Sequence, residues 1–224
     1  MSRTTLDYLA DLSLNNNREW YHANKAHRRA ANEEFEHLLE ALIAAIGEFD
    51  GSVLHNVPRD LTFKLVRDTR FSHDKSPYNP VFRAHIAAAG KLPVPVGYYV
   101  SIAPGRSFLG GGLFAPMFRD ATAMVREHIA ANGDAFASII NEADFAAHFI
   151  VKGEALKNVP KEYGPAHPQA AYLKHKSWYL EYPVPDETVL ATDFVQQAAR
   201  AFRRMKPFND FLNEGLQGFQ IPER

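Results

Sequence analysis

The apolar residues of this chain change period twice, and no single motif constrains the fold as strongly. Phe35, Leu38, Leu39, Leu42, Ile43 and Ile46 recur at helical spacing, with charged residues on the opposite face and Gly47 closing the stretch. From Leu61 the repeat shortens. LTFKLV, VFRAHIAA, VGYYVSIAP, SFLGGGLFA and, later, SWYLEY are short aromatic and β-branched segments, and Pro104-Gly105 between two of them predicts a tight hairpin. Helical spacing then returns in Met117, Ala121, Met124, Val125, His128 and Ile129, ending near Asn132-Gly133, and begins again at Phe136, Ile139 and Ile140. A short helix is expected before Asn15-Asn16-Asn17. A last one is expected from Asp193 through Met205, with Pro207 breaking it before a final turn at Phe211 and Leu212.

Helices flanking a run of strands, without strand-helix alternation, predict an α+β fold. We expect a central antiparallel sheet of about four or five strands between N-terminal and C-terminal helices, in one domain over 1–224. Glycines 110, 111 and 112 weaken their strand unless a bulge, a packed helix or a ligand requires close backbone approach, and a bulge is the favoured reading. The stretch VPKEYGPAHPQ, with three prolines, must be loop.

Composition removes several functions. Cysteine is absent, which excludes disulfides, thiolate metal sites and a cysteine nucleophile. The 25 basic and 26 acidic residues give a net charge of -1, so nucleic acid is disfavoured as a general partner. The N-terminus carries acidic residues where a signal peptide needs an apolar core, and no stretch is long enough to span a membrane, so a cytoplasmic protein without membrane partners is expected. Ten histidines include no H-x-H or H-E-x-x-H, and neither a metal set nor a cofactor motif is read. His85, alternating with Ile86 in a strand, is expected to be paired on a solvent face.

The densest polar segment is RDTRFSHDKSPY, residues 67–78. Arg67 and Arg70 can present planar forks to a phosphate or carboxylate, and Lys75, Ser76 and Tyr78 complete a candidate ligand-binding set. Asp68 and Asp74 are the weak candidates for proton transfer, but they are also partners for the same arginines. Ser72 and Lys75 match S-x-x-K, yet Pro77 forces Ser76 out of helical geometry and sets that nucleophile aside. Farther along, Lys157, Lys161, Lys174 and Lys176 interleave with Tyr172, Trp178 and Tyr179, a combination that could stack single-stranded nucleic acid.

NNNREWYHANK (15–25), RDTRFSHDKSPY, the Tyr98-Tyr99 strand ending at Pro104-Gly105, the glycine run before Pro116, LKNVPKEYGPAHP (156–168) with Lys176, and KPFNDFLN (206–213) together resemble the domain-of-unknown-function 2461 family. The resemblance covers nearly the whole chain. It implies a conserved bacterial-type α+β domain with no established activity. Two positions depart from its pattern, which has lysine where this chain has His73 and again at Asn79, so His73 inherits no role. Three readings stay open: a small anionic ligand held by the 67–78 turn, with or without catalysis; a structural or protein-interaction domain in which that turn is an internal salt-bridge lock; and single-stranded nucleic-acid binding.

Overall fold

A computed structural model describes residues 1–222. Three helices open the chain: α1 (Arg3–Leu14), α2 (Arg18–Ala23) and α3 (Lys25–Gly47). α3 follows from its stripe, because Phe35, Leu38, Leu39, Leu42, Ile43 and Ile46 are all buried on one side. A short turn of helix, α4 (Pro58–Leu61), precedes strands β1 (Phe82–Ile86), β2 (Tyr98–Ile102) and β3 (Ser107–Leu113). Next come α5 (Arg119–Ala131), α6 (Gly133–Ile140), α7 (Ala143–His148) and α8 (Ala170–Leu173), then strand β4 (Trp178–Val184). The described chain closes with α9 (Asp186–Val189) and the long α10 (Phe194–Gly215). None of these helices is long and apolar enough to cross a membrane.

The strands form one antiparallel sheet in the order β1-β2-β3-β4. Alternation divides its residues between two faces. Phe82, Ala84, Ile86, Tyr98, Val100, Ile102, Leu109, Leu113, Trp178 and Leu180 are buried against the helices. Tyr98 meets Phe202 of α10 at 5.2 Å between ring centroids. Two asparagines one turn apart stitch α10 to the start of β2: Asn209 Nδ2 donates to the Gly97 carbonyl at 3.0 Å, and Asn213 both accepts from Val96 N–H at 2.8 Å and donates to Val96 O at 3.0 Å.

Four sequence expectations need correction. LTFKLV is not a strand: only Thr62 and Val66 make isolated bridges, to Ala84 and Tyr78, because the segment leaves β1 to form its own narrow loop. Met117 stands outside α5 and is exposed, the helix starting two residues later. Pro207 does not end α10, which continues to Gly215. Its missing N–H costs one helical bond, but Met205, Phe208, Phe211 and Leu212 stay buried on one continuous face. The glycines mark no bulge, since β3 keeps an unbroken register against β2 and β4. A packed helix explains Gly111, where a Cβ would lie 2.9 Å from Asn209 Oδ1 and 3.3 Å from Met205 Sδ. At Gly112, φ is +92° and a Cβ would overlap the Trp178 carbonyl.

Candidate functional site

The polar side chains of the 67–78 turn largely face each other. The turn is a loop closed at its base by Arg67 N–H donating to Pro77 O at 2.9 Å and Asn79 N–H donating to Leu65 O at 2.7 Å. Arg67 donates to the Asp74 carboxylate, to Ser72 Oγ at 3.2 Å and to the Ser76 carbonyl at 3.3 Å. Asp74 also accepts from Ser76 N–H at 2.9 Å, an Asx turn. These bonds, those from Ser76 first and then that from Arg67, hold the Asp74 carboxyl well below the usual carboxylate range. Arg70 donates Nε and Nη2 to the Asp68 carboxylate, the Nη2 bond at 2.6 Å, and that contact lowers the Asp68 pKa. Lys75 Nζ donates to the Thr69 carbonyl at 3.0 Å.

Tyr78 lies apart from these charges. It is buried and stacked on Tyr21 at 3.8 Å, and Arg28 sits over the other side of the Tyr21 ring at 3.9 Å. Asn16 clamps the Tyr78 backbone, accepting from its N–H at 3.0 Å and donating to its carbonyl at 2.9 Å. The asparagine-rich motif and the Ser-Pro-Tyr motif are therefore two halves of one joint. At the tip, Phe71 is 95% exposed.

The second face of the sheet is different, and sequence reasoning missed it. Phe63, Arg83, His85, Tyr99, Phe108, Phe114 and Tyr179 gather there from all four strands and their flanks. The Phe63 segment is tied to β1 by its N–H donating to Arg83 O at 2.9 Å. Gly110 supplies a floor without side chains, and Phe114 lies across it with its ring tip 3.4 Å from where a Cβ would be. Phe114 stacks on Tyr179 at 4.5 Å and meets Tyr99 at 5.6 Å; Tyr99 in turn meets Phe108 at 5.9 Å and Phe63 at 6.2 Å.

At one end of this ring surface lies a cavity of about 100 Å³ lined by Phe63, His85, Lys91, Pro93, Tyr99, Gly112 and Phe114. His85 is buried in it rather than paired on a solvent face. The loop that carries Lys91 and Pro93 covers it, and burial lowers its pKa to about 4, opposed only by backbone at Leu92 and Lys91. The imidazole is therefore neutral at pH 7. Burial also raises the pKa of Tyr99, against the pull of the Arg83 guanidinium beside it. Arg83 Nε is buried and has no hydrogen-bond partner among the described residues. Its guanidinium carbon stands 5.6 Å from the Phe63 ring centroid. A strand alternation of Arg83 with His85, read together with the Tyr99 strand, was the signal available, but which strands pair cannot be read from spacing.

The basic stretch read for nucleic acid is divided. Trp178 is wholly buried and donates Nε1–H to the Tyr172 carbonyl at 3.0 Å, Lys176 pairs with Glu154 at 2.5 Å, and Tyr179 lies on the open face. No group of three or more histidine, aspartate or glutamate residues is arranged for a metal among the described residues. A family model described as a conserved hypothetical protein (DUF2461) matches residues 4–211. No match is found among curated proteins or solved structures.

Proposed function

The chain belongs to the DUF2461 family of conserved hypothetical proteins, whose description names no activity, and from its geometry we propose that it binds a small anionic ligand with a flat apolar body on the open face of the sheet. One observation carries the reading: Arg83 keeps a buried Nε–H with no partner among the described residues, its guanidinium lies beside the Tyr99 hydroxyl, and Tyr99 lines a cavity walled by rings. Buried polar groups are nearly always bonded, and an isolated donor of this kind costs stability unless something else completes it. A carboxylate or phosphate would complete it. The stacked rings of Tyr99, Phe114 and Tyr179 would take the flat body, Lys91 would add charge beside Arg83, and neutral His85 would add no further positive charge.

In the same reading the 67–78 turn serves as the internal lock. Each of its three cations already has a partner within the turn, and the Asn16 clamp fixes its base. Anion capture by Arg67, Arg70 and Lys75 would first have to break those contacts.

Thermal-shift titration with benzoate, phenyl phosphate and inorganic phosphate separates the two sites. A ligand at a hundred times its dissociation constant adds about 2.7 kcal/mol. We expect benzoate or phenyl phosphate to shift the wild type and Arg70→Ala alike and to leave Arg83→Met unshifted. If Arg70→Ala abolishes the shift while Arg83→Met retains it, the anion site belongs to the turn. A panel without any shift removes both.

A further inference from the structure

A separate groove lies between α6, α7 and α10. Its volume is about 540 Å³, within the range of roughly 300 to 1,000 Å³ that holds small organic ligands. Ile139, Phe145 and Pro207 give it an apolar floor. Arg200, Arg203 and Arg204 stand along one side. Their positions on α10, with Pro207, follow the i, i+3, i+4, i+7 spacing that puts them on a single helix face.

The charges of this groove do not cancel. Arg204 donates Nε–H to Asp144 at 2.7 Å, and Asp144 also has His148 Nδ1 at 3.4 Å from its carboxylate. The Glu142 carboxylate caps α7, accepting from Phe145 N–H at 2.8 Å. Both acidic groups are therefore engaged. Arg203 sits over the Phe49 ring at 4.9 Å, and its contact with Glu48, at 3.8 Å, is at the outer limit of an ion pair. Arg200 has no carboxylate partner among the described residues. An apolar trough with one free guanidinium and one loosely held at the same rim is complementary to an apolar chain ending in an anionic head group, of which a carboxylate is the most compact.

We propose that the α6–α7–α10 groove is a binding site for an amphiphilic carboxylate, its chain along Ile139, Phe145 and Pro207 and its head group at Arg200 and Arg203. Pro207 has a place in this site: it contributes ring carbons to the floor, and the helix tolerates it because its buried face continues past it. The proposal is independent of the sheet-face reading, since the two sites share no residue.

The test is isothermal titration of the full chain with octanoate and, separately, with octanol. Octanoate should bind at least ten-fold more tightly than octanol. Arg200→Gln should reduce octanoate affinity ten-fold or more and leave octanol affinity and the ligand-free melting temperature unchanged. Ile139→Asp should weaken both ligands, and Arg83→Met neither. Equal affinity for acid and alcohol, absence of octanoate binding, or octanoate binding that survives Arg200→Gln but is lost in Arg83→Met would each overturn the assignment.

Discussion

In the 67–78 turn Arg67 lies seven residues from Asp74 and Arg70 two from Asp68, whereas on the open sheet face Arg83, His85 and Tyr99 come from two strands and meet no carboxylate among the described residues. Chain distance accounts for much of this contrast. Bringing groups together across a short loop costs little entropy, so oppositely charged neighbours find each other locally. A strand fixes where its side chains point. Arg83 cannot turn toward a distant carboxylate, so its remaining hydrogen-bonding capacity stays in place. Dense charge in a sequence is thus a poor guide to an open site when both signs are present, and a few polar residues set among aromatic ones can be a better one.

The largest expected effect is on the sheet face. The folded-state pKa of His85, about 4, lies below the ordinary value of 6.5, so the unfolded chain takes up the proton first as pH falls. The stability contributed by neutral His85 is then complete above about 6.5, declines between 6.5 and about 4, and stays lost below; the total is on the order of 3 kcal/mol. Urea unfolding of wild type and His85→Gln from pH 7 to pH 4.5 should show profiles that converge as the pH drops. Parallel profiles would mean that His85 is not desolvated, and the contrast between the regions would weaken.

Next in size is Arg83→Met. Removing the partnerless buried Nε–H, offset in part by the lost contact with Tyr99, should raise ligand-free stability by about 1 kcal/mol, read from the urea midpoint. A loss of that size would instead show that Arg83 already has a structural role. The smallest effects belong to the turn. Arg67→Ala, which gives up bonds to Ser72 and the Ser76 carbonyl, should cost about 1 kcal/mol and open the loop to proteolysis between 67 and 78. Arg70→Ala should leave the midpoint where it is, because both side chains of its pair are exposed and such pairs add little.

Much of the scaffold could be read before any geometry. The α3 stripe, the helix ends near Asn15 and Asn132, four of the five segments read as strands, and the α+β class all follow from period and punctuation. The misreadings arose where tertiary packing overrode a local rule. Pro207 breaks isolated helices, but the buried side chains on both sides of it carry α10 through. Gly111 looked like a bulge because nothing in the strand itself indicates that Asn209, almost a hundred positions later, occupies the space a side chain would need.

By itself, then, the sequence determined the elements, because helix and strand periods are properties of neighbouring residues. It also contained, in the alternating charges of RDTRFSHDKSPY, the partners that neutralise the turn. Only the tertiary structure decided which of two possible states each polar group occupies. Asn16 reaches Tyr78, Asn213 reaches Val96, and Arg83 Nε keeps a donor without a partner among the described residues, because hydrogen-bond satisfaction depends on groups brought together from far along the chain.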